Sequence, residues 1–462
     1  MKYLLPIFLL ISSGTYLGAQ VFSYSMKNTI LSLALLLTFT VQAQEKVILD
    51  TDPAYDPDDV GCMAMLQGLA SNEECEILAI MNSTDQKEST LCISAINQFY
   101  NRSAIPIGDY KGYPEKKDAS ENTYDYHIAQ DFDRTLKRWE DSYDGVRLYR
   151  EILESAEDKS ITVIIIGTMH NFYALLKSQP DEWSYRTGQQ LVADKVKQVV
   201  TMGGNFLTHQ GYDRTNWGGA DTLCAYTSWS CLNEERNRMC RYVIENCPAP
   251  FIASGWENGN GDYYNAKNGN VMTGQGLKQL PEDHIVRQSY ERHFEYRGGA
   301  DDISRHSNDQ CALHYAVRGE GENYTAYTNG TITLMKNGAC TWDATINRQQ
   351  GHIQKNRNDD LIATEIEELM MAPTPSLDTS PPSAPSLTSM VKLGNQRAIT
   401  WTAAEDSTPG SWVVAYSIYQ DGELIQQAYG TKCRLAGTPG QYSIRAMNAS
   451  GTLSEPTSFR IE

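Results

Sequence analysis

No two of the ten cysteines have CxxC spacing, so a structural zinc site is not expected. Basic residues are scarce: 39 lysines and arginines stand against 57 aspartates and glutamates, a formal net charge of −18. A chain this acidic lacks the basic face that a nucleic-acid polymer requires. A single nucleoside, which carries no phosphate, stays open as a partner. Long apolar runs are missing too. The N-terminal stretches Leu4 to Ile11 and Ile30 to Val41 are shorter than the roughly 18–20 residues that cross a bilayer. No later segment is apolar enough to serve as a transmembrane anchor.

What is present reads as an exported globular protein, 41% hydrophobic and 21% charged. Met26-Lys27, the apolar middle from Ile30 and the exit Val41-Gln42-Ala43 have the layout of a secretory signal. Residues 1–45 are therefore read as targeting sequence, with Met1 and Met26 both open as the start. The mature chain is expected in the periplasm or outside the cell, with a homo-oligomer left open. In that setting a disulfide among Cys224, Cys231, Cys240 and Cys247 is open. Cys62, Cys92 and Cys311 fall inside helical patterns and read as small buried apolar residues.

Over residues 46–372 apolar strands alternate with helices. Strands are predicted at Glu76 to Met81, Ser160 to Gly167, Val196 to Met202 and Pro250 to Ser254, and helices at Glu88 to Phe99, Glu234 to Asn246 and Asp359 to Met371. This alternation predicts an α/β fold, a doubly wound and mostly parallel sheet. A proline-rich linker follows at 373–383. From 384 to 462 short alternating strands, with a tight hairpin turn at Asp421-Gly422, predict a small β-sandwich. That segment resembles a fibronectin type III module, with Trp401 as its core tryptophan and Tyr442 near its corner tyrosine.

The densest chemical signal is Asp50-Thr51-Asp52-Pro53-Ala54-Tyr55-Asp56-Pro57-Asp58-Asp59, five aspartates in ten residues directly after the apolar run Val47-Ile48-Leu49. The run reads as a buried parallel strand. Asp56 reads as a helix N-cap with Pro57 at the first helical position. Val60, Met63, Leu66 and Ala70 continue at helical spacing. The carboxylates thus sit on a strand-to-helix turn, where open α/β sheets bind ligands. Like charges so crowded raise one another's pKa unless a cation holds them, and oxygen ligands suit calcium before magnesium. An EF-hand is excluded, because Tyr55 and Gly61 stand where that loop needs glycine and glutamate.

Further segments complete a pattern: IIIGTMHN ending at Asn171, VVTMGGNF ending at Phe206, CPAPFIASGWENG from Cys247 and SNDQCALHYAVRG from Ser307. Together with the aspartate turn, and in this order over Val47 to Met371, they resemble the inosine-uridine nucleoside hydrolase family, in particular its exported bacterial branch. The resemblance implies a calcium ion held by Asp52, Asp59, Asp309 and the backbone carbonyl of His170. It implies that Asp52 also deprotonates the attacking water and that Asp58, or Asp56 in its place, binds ribose hydroxyls. Asn82, Thr84, Asn216, Glu257 and Asn308 are its further candidates for contact with a nucleoside or riboside. The chain departs from the family at Asn308, where better-known members carry a histidine able to protonate the departing base; asparagine cannot act as a general acid. The insertion from Gly218 to Cys231 has no counterpart. A calcium-stabilised protein that binds a sugar or nucleoside without turnover is the alternative. Asp50-Thr51-Asp52 after a strand also resembles the opening of haloacid-dehalogenase-like phosphatases, but Ala54 and the lack of a suitable lysine motif weigh against that reading.

Overall fold

The run Val47-Ile48-Leu49 lies in strand β1 (Glu45–Thr51), which is buried on both faces from Val47 onward. The computed structural model describes residues 44–54, 56–206, 216–218, 234–260, 269–299 and 301–462. The signal-like segment, Cys224, Cys231 and most of the 218–231 insertion lie outside the described residues. On one side of β1 follow β2 (Cys75–Asn82), β3 (Ile107–Asp109) and β4 (Tyr143–Asp144). On the other follow β5 (Ile161–Ile165), β6 (Val196–Met202) and β7 (Phe251–Ser254), all in parallel. A short antiparallel pair, β8 (Met272–Thr273) and β9 (Arg305–His306), stands apart from the main sheet. Strands β10 (Tyr324–Leu334), β11 (Cys340–Asp343) and β12 (Gln350–Lys355) extend the main sheet beyond β7 to ten strands. There β12 is parallel to β7, while β10 runs antiparallel to β12 and to β11.

This is the expected doubly wound, mostly parallel sheet. Alternate residues of β1 point to opposite faces. Val47 and Leu49 join the core under the helices Asp58–Ser71, Lys87–Phe99, Asn308–Arg318 and Asp359–Met370. Ile48 joins the core under Gly145–Ser155, His170–Lys177, Gly188–Lys195 and Glu234–Asn246. The order of strands reverses between β1 and β5, so the crevice beyond their C-terminal ends is the topological switch point where such sheets bind ligands. At that point Gly167 lets two backbones meet, since a Cβ there would fall 2.7–2.8 Å from Thr51 and Asp52 main-chain atoms.

Two local readings change. The helix after the aspartate turn begins at Asp58, with Pro57 rather than Asp56 at its N-cap and no side-chain cap; Asp56 is drawn away by an arginine described below. The apolar spacing predicts one buried face, yet every residue from Asp58 to Ala70 is buried. The helix is packed between neighbours, including Asn308–Arg318 and Asp359–Met370. The antiparallel strands β10 and β11 and the helix Ile285–Glu295 are not among the predicted elements. Cys62, Cys92 and Cys311 are buried free thiols.

The C-terminal region forms two antiparallel sheets around their own core, consistent with a β-sandwich. One holds β13 (Leu387–Leu393), β14 (Gln396–Trp401) and β17 (Lys432–Ala436); the other holds β15 (Val413–Gln420), β16 (Glu423–Ala428), β18 (Gly440–Asn448) and β19 (Thr457–Ile461). Asp421 and Gly422, both at positive φ, make the two-residue turn between β15 and β16. The proline-rich stretch has no regular structure but is laced in place. Asp378 accepts from Asn448 Nδ2 at 2.8 Å and Thr408 Oγ1 at 3.0 Å, and Asn101 Nδ2 donates to the Pro375 carbonyl at 2.9 Å.

Candidate functional site

Asp58 and Asp59 open a buried helix at the C-terminal edge of β1, and Asp309 is the second residue of the helix Asn308–Arg318. The two helices approach closely at Gly61, where any Cβ would meet the Tyr290 hydroxyl and Gln310 Nε2 at about 2.5 Å. The approach brings carboxylate oxygens of Asp58, Asp59 and Asp309 within 4.8 Å of one another. All three are at most 5% exposed. Burial first, and then repulsion from neighbouring aspartates that include Asp52 and Asp56, pushes each carboxyl well above the ordinary carboxylate range.

Asp52 is half-buried beside this trio without being a member of it. Its amide donates to Asp59 Oδ1 at 3.1 Å, and Thr51 Oγ1 donates to the same oxygen. Burial raises the Asp52 carboxyl to about 7, assisted by Asp50 and Asp56 and opposed by the charge of Arg236. Asp50, fully buried, accepts from Asn171 Nδ2 at 3.1 Å and Tyr149 Oη at 3.3 Å, which suits a residue that holds the turn. Asp56 is gripped through both oxygens by the Arg305 guanidinium, with Nε donating at 2.7 Å, while Tyr124 Oη donates to its carbonyl at 2.8 Å. Burial alone would raise Asp56, but Arg305 holds it below the usual range. This bidentate pair ties the aspartate turn to β9, four residues ahead of Asp309.

The other sequence candidates scatter. His170 is the first residue of its helix; its ring meets Thr168 Oγ1 at 2.7 Å and packs near Tyr110 and Tyr113. Burial, then the Arg236 charge, lower that ring to about 3, which keeps it neutral. Asn82 turns inward: its Nδ2 donates to Thr90 Oγ1 at 2.9 Å and Asp109 Oδ1 at 3.0 Å, and its Oδ1 accepts the Thr84 amide at 3.2 Å. Thr84 is itself engaged, its Oγ1 by the Gln86 amide and its carbonyl by Lys116. Asn216 donates to the carbonyls of Ile166 and Met202, stitching the ends of β5 and β6 together. Trp217 is a fully buried packing residue against Gly203. Asn308 and Glu257 differ from these. Each is buried and presents an oxygen, Asn308 Oδ1 and Glu257 Oε2, with no hydrogen-bond partner. The helix Trp256–Asn260 that carries Glu257 abuts Asn308, since a Cβ on Gly259 would strike its side chain.

Arg305 and Arg236 are the residues that sequence reading missed. Arg305 stands two residues ahead of the segment that begins at Ser307, but nothing in its spacing points to Asp56, 249 positions earlier. Arg236, buried on the helix Glu234–Asn246, lowers the pKa of both Asp52 and His170 through its charge.

Glu257 carries a testable pH dependence. Burial raises its carboxyl from 4.5 to about 7, so the folded chain holds a proton there that the unfolded chain loses. Stability from this group is complete below pH 4.5 and is lost as pH rises through about 7. Glu257→Gln is expected to remove that slope and to stabilise by up to roughly 3 kcal/mol above pH 7. Urea midpoints between pH 4.5 and 8 check it; equal slopes in both proteins would contradict it.

No protein-family model matches the chain, and no curated protein does. Solved structures do. A plant nucleoside hydrolase superimposes with a TM-score of 0.50 at 17% identity, covering 71% of this chain and 99% of its own. A purine-preferring ribonucleoside hydrolase from Gardnerella vaginalis gives a TM-score of 0.50 at 15% identity, covering 71% and 98%. The fold is that of the nucleoside hydrolases. Within that nucleoside hydrolase fold, the acidic trio lies at the switch point of the sheet. Among the described residues no helix is long and apolar enough to cross a membrane.

Proposed function

We propose that this protein hydrolyses the N-glycosidic bond of nucleosides or related ribosides, with calcium bound at the acidic cluster. The observation that carries the reading is the convergence of Asp58 and Asp59 with Asp309, buried together from distant parts of the chain. Three carboxylates and no nitrogen or sulfur make a donor set for a hard cation, and a cation relieves the repulsion that raises their pKa values. Asp59 and Asp309, with Asp52 and the His170 carbonyl, would hold it, and Asp58 stands close enough to share it or to meet a ribose hydroxyl. A bound divalent cation makes water more acidic.

The chain's own residues supply the rest. Asp52 lies beside the cluster to orient water and take its proton. As the bond to the base breaks, positive charge grows on the sugar, and fixed carboxylates stabilise that charge more than the ground state. The unpartnered oxygens of Asn308 and Glu257 are acceptors that ligand hydroxyl or amine groups can satisfy. Because Asn308 cannot donate a proton as an acid, bases that depart without strong assistance should be favoured. The signal-like N-terminus supports export to the periplasm or beyond. The Tyr442 hydroxyl, donating to the Thr438 carbonyl at 2.8 Å, supports a fibronectin type III-like reading of the sandwich, since a tyrosine corner of this kind marks such sandwiches.

Incubation with calcium and inosine, uridine or adenosine is expected to release free ribose, to stop on chelation and to resume when calcium is restored. Absence of release from every nucleoside, with calcium bound and the fold intact, defeats the reading. Saturable nucleoside binding without turnover would instead favour a calcium-stabilised binding protein, the reading that the substitution at Asn308 motivates.

A further inference from the structure

We propose that the crevice between the helix Gly145–Ser155 and the outer face of β13-β14-β17 binds a neutral saccharide chain. It is a cavity of about 380 Å³, within the size range of small-molecule sites. One wall carries Glu151, Glu154 and Trp183; the other carries Gln396 and Thr400 of β14, with Gln427 contributed by β16 of the second sheet. None of the aspartates of the candidate active site lines it, so the inference is independent of the reaction proposed above.

Two of the wall carboxylates, Glu151 and Glu154, already have basic partners. Glu154 meets Arg186 at 2.9 Å and Lys432 at 3.3 Å, and Glu151 meets Arg147 at 2.7 Å. Arg434 lies over the Tyr185 ring at 3.6 Å. A phosphate or carboxylate would have to displace Glu154 from Lys432 in a wall that also carries Glu182, and a basic peptide would have to displace Arg147 or Arg186. A sugar hydroxyl need not: it donates to a carboxylate and accepts from a lysine, arginine or amide while the pairs persist. Gln396, Gln426 and Gln427 add planar amides that offer both donor and acceptor. Trp183 supplies the flat apolar surface on which the C–H face of a pyranose packs. Its indole is held in place by the Arg147 guanidinium, 3.9 Å from the ring centre. At the back, Tyr429 lines the cavity, its ring packed edge-on against Tyr143 with centroids 5.9 Å apart.

The test is titration of the full chain with cellotetraose, maltotetraose, xylotetraose and chitotetraose, followed by tryptophan fluorescence and calorimetry. At least one is expected to bind saturably and without sensitivity to salt, since the ligand is uncharged. Trp183→Ala and the surface substitution Gln396→Ala should each weaken it, the former by about tenfold. Asp309→Asn should leave it unchanged. Failure of all four saccharides to titrate overturns the proposal. So does binding that survives in both variants with melting temperature unchanged, or that inosine displaces. Salt-sensitive binding of an anionic or peptide ligand at Trp183 in place of the saccharides would also overturn it.

Discussion

Asp309→Asn is expected to abolish calcium-dependent turnover, by at least about 10³-fold in kcat/KM, the loss typical when one preorganised electrostatic group is removed from a transition state. The same change should raise the stability of the calcium-free protein. In that state Asp58, Asp59 and Asp309 are buried within 4.8 Å of one another, and each carboxyl is held above its ordinary range by burial and repulsion. Groups with a raised pKa in the folded chain destabilise it at neutral pH, because folding there must either bind a proton or crowd the charges. Asparagine has nearly the same shape and no charge. Calcium should reverse the ranking: the parent chain gains stability with rising calcium by mass action, and the variant gains little. Thermal melting with chelator and with calcium, beside ribose release, measures both effects. A variant that keeps its calcium-induced shift and its turnover would show that Asp309 does not hold the ion.

The second large effect lies far from that cluster. Trp412→Ala should cost about 3–5 kcal/mol, the usual range for truncating a buried tryptophan, while leaving activity per folded molecule unchanged. Trp412 belongs to the sandwich by sequence, yet it is buried in the same core as β1 and the helix Asp58–Ser71. Its Nε1 donates to the Ile77 carbonyl at 3.2 Å. β3 pairs with β2 only from Ile80 to Asn82, so the indole satisfies a part of the β2 edge that no strand covers. Arg102 stacks over the ring at 5.2 Å and donates to the Gly410 carbonyl at 3.0 Å, fastening the same joint. Ending the chain near Ala372 should therefore expose an apolar patch and an open strand edge, giving aggregation rather than a stable smaller enzyme. Urea denaturation checks the substitution, and light scattering the truncation. A truncated chain as stable and soluble as the parent would mean that the joint contributes nothing.

Much of the main sheet could be read from residue pattern because its strands are short apolar runs bounded by helices. β6 and the helix Glu234–Asn246 fall on the predicted residues, and the turn after Leu49 carries its aspartates to the sheet edge. Strands β10 and β11 escaped because clear in–out alternation in β10 is confined to Gly330–Leu334 and β11 has only four residues; the two pair antiparallel at the sheet margin. The site was readable to the extent that chemistry was concentrated in one segment. Asparagines and threonines near it were not, because a polar side chain in a loop can face a ligand or complete a backbone bond. Asn82, Thr84 and Asn216 do the latter.

Local order decided that five aspartates follow a buried strand and precede a helix, and so that a dense negative charge stands at the edge of a parallel sheet. Only the packing of two helices across Gly61 decided that Asp309 shares the space of Asp58 and Asp59, and only the long-range pair with Arg305 decided that Asp56 leaves it. The physical reason is range. Hydrophobic period and turn chemistry act over a few neighbouring residues, whereas burial and charge pairing act between whatever surfaces the folded chain brings together.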